Sequence, residues 1–260
     1  MNNKIIYLLR NSPKDLMLFK KSIELLKLNF LENNNYPIYV FNEDVEEVFF
    51  EKLNLEFTLK ITSVKIKFEL PDFLKNKSVP EFIFVDGVPF PFTLGYRHMC
   101  RFYAGEMYKH QILQDTDYYL RLDNDSFFIS KVKYDIFNHM KNNNLIYGYN
   151  NINTDNPIVV EGLWENALDY SEKTKTIKKP IIEIKHPLIY YTNFEIAKTK
   201  WFLEKEYNNF FNFIDNLGGI YYKRWGDAAI KYLGIEMFLE DKYKHNFNDL
   251  NYRHGNIFNF

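Results

Sequence analysis

Cysteine is nearly missing: Cys100 is the only one in 260 residues, so no intramolecular disulfide can form and a reducing compartment is the expectation. Long apolar runs are missing too. The opening stretch Ile5-Ile6-Tyr7-Leu8-Leu9 is too short for the hydrophobic part of a secretion signal and far too short to span a bilayer. Nor is there an excess of one charge. The 33 basic and 34 acidic residues are interspersed, with a formal net charge of −1, which removes the electrostatic case for binding nucleic acid or an anionic membrane surface. No internal repeat, low-complexity tail or inter-domain linker is found. Aromatic residues, by contrast, make up 18% of the chain. Carbohydrate sites use aromatic faces, but the parallel abundance of Phe, Tyr, Asn, Lys and Ile is better ascribed to AT-rich coding.

A chain of this length suits one large α/β domain with a sizeable core. Ile5 to Leu9 reads as a buried strand, and Ser12-Pro13-Lys14-Asp15 reads as a helix start with Ser12 as cap and Pro13 in the first turn. Leu16, Phe19, Ile23, Leu26 and Phe30 recur at helical spacing. Tyr36 to Phe41 is a second strand, after which Asn42 is expected to cap a helix through Val45, Val48 and Phe49. Residues 56 to 70 are strand-like and expected to be mixed in direction, and 80 to 93 form a Pro-rich loop. A helix is expected from Tyr96 to Leu113, a strand from Leu120 to Asp123, a short helix from Tyr134 to Met140 and a strand from Leu145 to Tyr149. Residues 150 to 190 are hard to read. A long helix is expected from Ile196 to Leu217, broken by Gly218-Gly219, and another from Trp225 to Leu233. Alternating strands and helices imply a parallel-sheet nucleotide fold whose ligands lie beyond the carboxyl ends of the strands, where Arg10 and Asn11 sit.

The run Tyr118-Tyr119-Leu120-Arg121-Leu122-Asp123-Asn124-Asp125 carries the sharpest chemistry. Residues i and i+2 of a strand share a face, so Asp123 and Asp125 can converge on one hard divalent cation, and that cation can hold a diphosphate. Asp-Asn-Asp alone also reads as a solvated turn.

Four further blocks accompany it: Tyr96-Arg97-His98-Met99-Cys100-Arg101-Phe102, Tyr191-Thr192-Asn193-Phe194-Glu195-Ile196, Gly218-Gly219-Ile220-Tyr221-Tyr222-Lys223-Arg224-Trp225-Gly226-Asp227-Ala228, and Asn251-Tyr252-Arg253-His254. In this order, from Leu8-Leu9-Arg10-Asn11 to His254, the chain resembles the fungal-type α-1,2-mannosyltransferases, glycosyltransferase family 15. The resemblance implies an α/β fold of the GT-A nucleotide-diphospho-sugar transferase type, with a mixed, mostly parallel central sheet flanked by helices. It implies a single domain over 1–260, with a nucleotide-binding half at 1–125 and an acceptor-binding and catalytic half at 126–260. The implied reaction is metal-dependent transfer of mannose, with retention, from GDP-mannose to a hydroxyl of a glycan or glycoprotein acceptor. A different nucleotide-sugar donor on the same fold, or an inactive carbohydrate-binding relative, are the alternatives.

Residue by residue, the resemblance places Asp123 and Asp125 at the cation and diphosphate, where the family usually has Glu-Pro-Asp, and His254 as a further cation ligand. An imidazole favours Mn²⁺ over Mg²⁺. Glu195 matches a carboxylate facing the anomeric carbon, either as a nucleophile or as a stabiliser of oxocarbenium-like charge; its structural alternative is a charge at a helix N-terminus. Asp227 matches an acidic residue near the acceptor, with capping as the alternative. Trp225 offers a wall for a sugar ring, or belongs to the core. Tyr96, Arg10 and Asn11 are assigned to the donor. Arg97 and Arg101 are ranked lower, as helix-face charges, and His98 and Cys100 read as helix packing. Fungal members carry an anchor, a stem and several cysteines that this sequence lacks, so a cytoplasmic enzyme is expected, with a trimmed chain as the alternative.

Overall fold

The computed structural model describes residues 2–174 and 187–255. β1 (Lys4–Leu8) leads through α1 (Pro13–Leu26) to β2 (Ile38–Asn42), α2 (Glu47–Phe57) and β3 (Ile61–Lys65), and a small hairpin of β4 (Phe82–Ile83) and β5 (Phe92–Thr93) precedes α3 (Leu94–Ala104). β6 (Tyr118–Leu122) and β7 (Ser126–Phe128) flank the acidic turn, followed by α4 (Ile136–Asn142), β8 (Tyr147–Tyr149), β9 (Ile152–Thr154) and α5 (Leu163–Thr174). After β10 (Leu188–Tyr190) and β11 (Phe194–Lys198) come α6 (Thr199–Leu203), α7 (Lys205–Asn216), α8 (Gly219–Tyr222) and α9 (Asp227–Phe238), then β12 (Lys244–Asn246) and β13 (Tyr252–His254).

Seven strands form the central sheet in the order β12-β8-β11-β6-β1-β2-β3. β6, β1, β2 and β3 run parallel, β12 is parallel to β8, and β11 is antiparallel to both of its neighbours. Alternation along β1 sends Ile5 and Tyr7 to the layer shared with Phe19 and Ile23 of α1, and Ile6 to the opposite layer with α3, α7 and α9. Ser12 caps α1 as its sequence dictates, its hydroxyl accepting the Asp15 amide at 3.2 Å with Pro13 in the first turn. A π-helical turn, Lys27–Leu31, then delivers Phe30 to the core.

Several expected elements differ from the structure, each for a local reason. Asn42 does not cap α2; its side chain accepts the Val45 amide at 3.0 Å within the loop and the Lys65 ammonium at 2.7 Å, and the helix starts later, at Glu47. β3 is parallel to β2 rather than mixed in direction. The helix expected to reach Leu113 stops at Ala104, where Gly105 leaves helical geometry at φ −162° and lies so close to α7 that a Cβ would come 2.2 Å from the Phe211 ring; two 3₁₀ turns carry the chain on to Leu113. The long helix expected from Ile196 is instead β11 followed by α6 and α7: Phe194, Ile196 and Ala197 are buried in the middle of the sheet, where a strand satisfies every backbone group from two sides. The last helix begins at Asp227 rather than Trp225. Part of the least readable stretch, 175–186, lies outside the described residues.

Arg97 is no helix-face charge. It is fully buried, and its guanidinium donates to the carbonyls of Thr93, Pro80, Glu81 and Tyr221, tying the β4–β5 hairpin to α3 and α8. Arg101 forms a bidentate pair with Asp215 at 2.9 Å. His98 and Cys100 pack in the interior, as expected. Gly105→Ala is expected to lower stability by about 1–3 kcal/mol in denaturant unfolding, the cost of overpacking against a ring held on all sides.

Candidate functional site

β6 ends at Leu122, and the next three residues turn. The Asp123 amide donates to the Asn193 carbonyl at 3.2 Å and to the Ser126 hydroxyl at 3.1 Å, and the Ser126 amide returns to the Asp123 carbonyl at 3.1 Å. That closure leaves the Asp123 and Asp125 carboxylates on one side. The tail of the chain is brought to them by β13, which pairs antiparallel with β7 so that His254 stands opposite Ser126. The Gly255 amide donates to the Asp125 carbonyl at 3.0 Å, with Gly255 in the left-handed region at φ 90°, which a glycine adopts without strain. Tyr252 fixes the register from below: its hydroxyl lies 3.0 Å from the Asn193 carbonyl, 2.9 Å from the Asn193 side-chain oxygen and 2.7 Å from the Ser126 hydroxyl.

The outcome is one cluster in which ligand atoms of Asp123, Asp125 and His254 all lie within 4.8 Å of one another. His254 Nε2 is 3.0 Å from Asp125 Oδ1 and 3.7 Å from Asp123 Oδ2, and its Nδ1 is 3.4 Å from the Tyr191 hydroxyl. Burial alone would lower the His254 pKa, but the hydrogen bond to Asp125 and the charges of Asp123 and Asp125 outweigh it and hold it above the ordinary value. Burial pushes the Asp123 carboxyl up despite Arg121 and His254, whereas Asp125 sits below its usual range because its bond to His254 outweighs burial. Two acidic oxygens and an imidazole, concentrated and partly desolvated, suit a divalent cation of the Mn²⁺ type.

A cavity of about 280 Å³ opens beside this cluster, between the ends of β1 and β2 and the start of α3. Arg10, Asp44, Tyr96 and Met99 line it, and Asn124, the residue between the two carboxylates, forms its end. Cavities of about 540 and 420 Å³ exist elsewhere, but neither is lined by a residue of the acidic turn. Arg10 is 78% exposed and pairs with Asp15 at 2.6 Å; Asn11 does not line the cavity but holds the Asp44 carbonyl at 3.2 Å. The Tyr96 hydroxyl accepts from Arg224 at 2.7 Å. Arg224 itself is left-handed, at φ 68°, a conformation costing an arginine about 1–2 kcal/mol. It is held there by Tyr96, by Asp155 at 3.3 Å and by the Phe92 ring, 4.6 Å from its guanidinium carbon.

The remaining assigned residues lie deeper. Trp225 is 3% exposed, its indole N–H donates to the Glu161 carbonyl at 2.8 Å, and its ring is so close to Gly219 that a Cβ there would lie 2.2 Å away; it is core, not an open wall for a sugar. Asp227, at the start of α9, accepts from Arg121 at 2.5 Å and from Thr192 at 3.0 Å, both at Oδ2. Burial would raise its pKa, but Arg121 and Lys231 beside it hold the carboxyl below the usual range. Glu195 lies in a strand rather than at a helix N-terminus, is fully buried, and accepts from Lys231 at 2.6 and 2.9 Å, from Tyr147 at 3.1 Å and from Tyr119.

Sequence reasoning missed Arg121, Lys231, Asn193, Ser126 and Tyr252 as parts of the assembly. Two of them left a signal: Arg121 precedes Asp123 by two in a strand and must share its face, and Lys231 follows Asp227 by four in a helix. The others hold the turn and the tail together, Ser126 and Tyr252 through their hydroxyls and Asn193 through its carbonyl, and residue type alone does not announce such long-range contacts.

A mostly parallel sheet with an acidic turn at a strand end, beside a cavity at the ends of β1 and β2, is the architecture of a glycosyltransferase of the GT-A type. The whole chain, residues 1–260, matches the model of the glycolipid 2-alpha-mannosyltransferases, and the protein belongs to this family, glycosyltransferase family 15. It is 32% identical over 273 residues to the probable mannosyltransferase MNT3 of Candida albicans, covering 97% of this chain and 70% of the relative. To the O-glycoside alpha-1,2-mannosyltransferase homolog 4 of Schizosaccharomyces pombe it is 30% identical, covering 99% and 70%. Among solved structures, core-mannan synthase A from Aspergillus fumigatus, crystallised in an Mn/GDP form, superposes with a TM-score of 0.86 at 25% identity, over 98% of this chain and 74% of that one. The galactosyltransferase LgtC, with a TM-score of 0.51 at 8% identity over 88% and 69%, shares the fold alone. Among the described residues no helix is long and apolar enough to cross a membrane.

His254→Ala is expected to weaken Mn²⁺ binding, read by calorimetry or by the electron paramagnetic resonance of free Mn²⁺, by at least about tenfold. Tyr252→Phe, which touches no cation ligand, is expected to weaken it less but measurably, as supporting residues do.

Proposed function

We propose that this protein transfers a mannosyl residue from GDP-mannose to a hydroxyl of a mannose-containing acceptor, with retention and with Mn²⁺. The observation that carries this reading is the meeting of Asp123, Asp125 and His254 beside a cavity whose lining includes Asn124, the residue between the two carboxylates. These three residues would hold the cation, which when bound supplies positive charge to the departing diphosphate. The nucleoside would occupy the cavity, with Arg10 and Tyr96 on its walls and Asn11 fixing the loop that carries Asp44. Asp227 would orient the acceptor hydroxyl; among the described residues its side-chain hydrogen bonds all fall on Oδ2. Membership of an α-1,2-mannosyltransferase family and the Mn/GDP form of core-mannan synthase A support the donor.

Titration calorimetry with GDP, UDP and their sugar conjugates in Mn²⁺ tests the donor. GDP and GDP-mannose are expected to bind, and tight binding of a uridine nucleotide alone would defeat the mannosyl assignment. Asp227→Asn is expected to lower turnover on α-mannosides by about 100-fold or more with a much smaller loss of GDP affinity, up to about tenfold, transmitted through Arg121 to Asp123.

A further inference from the structure

Beneath the cation cluster lie four buried charges whose arrangement bears on the reaction. β6 and β11 pair so that Arg121 stands directly opposite Glu195. α9, packed over them, carries Asp227 and Lys231 one turn apart, hence on one face. Asp227 meets Arg121 at 2.5 Å, and Lys231 meets both oxygens of Glu195 at 2.6 and 2.9 Å. None of the four is more than 6% exposed. The result is a square of alternating sign, two corners on the sheet and two on the helix.

We infer that Glu195 and Lys231 are positioning residues that neutralise each other so that Asp227 and Arg121 stay paired at the reaction site, and that Glu195 does not touch the transferred sugar. This rests on the transferase reading above. Its first support is saturation. Glu195 is 0% exposed and receives four hydrogen bonds on two oxygens, from Lys231 twice, Tyr119 and Tyr147, so no lone pair is free to meet an anomeric carbon. Its second support is the alternation of charge. Without Glu195, the Lys231 ammonium would turn to Asp227, its neighbour one turn away, and compete with Arg121. Without Lys231, the Glu195 carboxylate would compete for Arg121 from across the strand pair. Either way Asp227 loses its seat, and with it goes the other guanidinium nitrogen of Arg121, which lies 3.3 Å from Asp123. Sliding α9 by one turn would set like charges face to face, so the square also selects one seat for the helix.

The test compares Glu195→Gln, Lys231→Met, the double variant E195Q/K231M and the swapped variant E195K/K231E by thermal unfolding, GDP affinity in Mn²⁺ and turnover. Each single variant leaves one buried charge unpaired and is expected to unfold at lower temperature and to turn over about 100-fold more slowly. The double variant is expected to regain the melting temperature of the parent and to bring turnover back to within about tenfold, because a buried pair replaced on both sides is close to neutral. The swap is expected to fail in stability, since it sets Lys beside Arg121 and Glu beside Asp227; an isolated pair would tolerate it. A double variant that melts and binds GDP like the parent yet stays as slow as Glu195→Gln overturns the inference, as does a swap that is fully stable. On the unaltered protein, a 2-deoxy-2-fluoromannosyl ester found on Glu195 by peptide mass spectrometry after incubation with GDP-2-deoxy-2-fluoromannose, with GDP released, would overturn it without any variant. Failure of the transferase reading shows separately, as a parent protein that neither binds GDP nor turns over donor, and the melting temperatures then still judge the square.

Discussion

The site depends on one short antiparallel pairing, three residues of β13 against three of β7. Because the side chains of a strand alternate, a slip of one residue would turn His254 away from the carboxylates and replace it with Arg253 or Gly255. The register is therefore fixed more than once. Tyr252 is wired to Asn193 and Ser126, and the Gly255 amide is bonded to the Asp125 carbonyl. Asn193 is the common point: its carbonyl takes the Asp123 amide as well as the Ser126 and Tyr252 hydroxyls, so the acidic turn, the β11 start and the tail share one acceptor. Three segments remote in sequence are thereby placed to within a hydrogen bond of one another.

Below that assembly the protein keeps charge where most cores keep hydrocarbon. Arg121 lies on the Tyr103 ring, 3.4 Å from its centroid, and reaches both Asp227 and Asp123. Such groups are tolerated in an interior only when every member has a partner, since an unpaired buried charge costs several kcal/mol. The buried tyrosines around Glu195, Tyr119 and Tyr147, complete that satisfaction with neutral donors. Above, at the solvent side, Asp123, Asp125 and His254 crowd acidic oxygens around an imidazole held above its ordinary pKa. Asp123 belongs to both layers, so the geometry of the upper depends on the balance of the lower.

Much of this was written in the sequence where periodicity or capping is local. Ser12-Pro13 and the apolar spacing after it specify α1, and the alternation ending in Asp123 specifies β6 and the face shared with Arg121. Family resemblance singled out Asp123, Asp125 and His254 together, because Tyr252-Arg253-His254 means little until it is set beside the acidic turn. What the sequence concealed is tertiary. Phe194 to Lys198 can serve as helix or strand, and only the open position between β6 and β8 decides for strand, which moves Glu195 from a helix end to the buried sheet. Gly105, where α3 ends, lies against Phe211, more than one hundred residues away, a contact that local spacing cannot show. Trp225 looked available to a sugar because a tryptophan can be either wall or core, and Gly219 beneath it settles the matter.

The placement of His254 on a strand of its own has a consequence for how the cluster can be taken apart. The carboxylates follow β6, while the imidazole beside them is carried by β13, which belongs to a separate two-stranded sheet outside the seven-stranded one. A chain without the β13 pairing keeps the acidic turn but has neither the His254 imidazole beside it nor the Tyr252 brace on Asn193 and Ser126. Fraying or proteolysis of β13 would therefore part the imidazole from both carboxylates without breaking a hydrogen bond of the seven-stranded sheet.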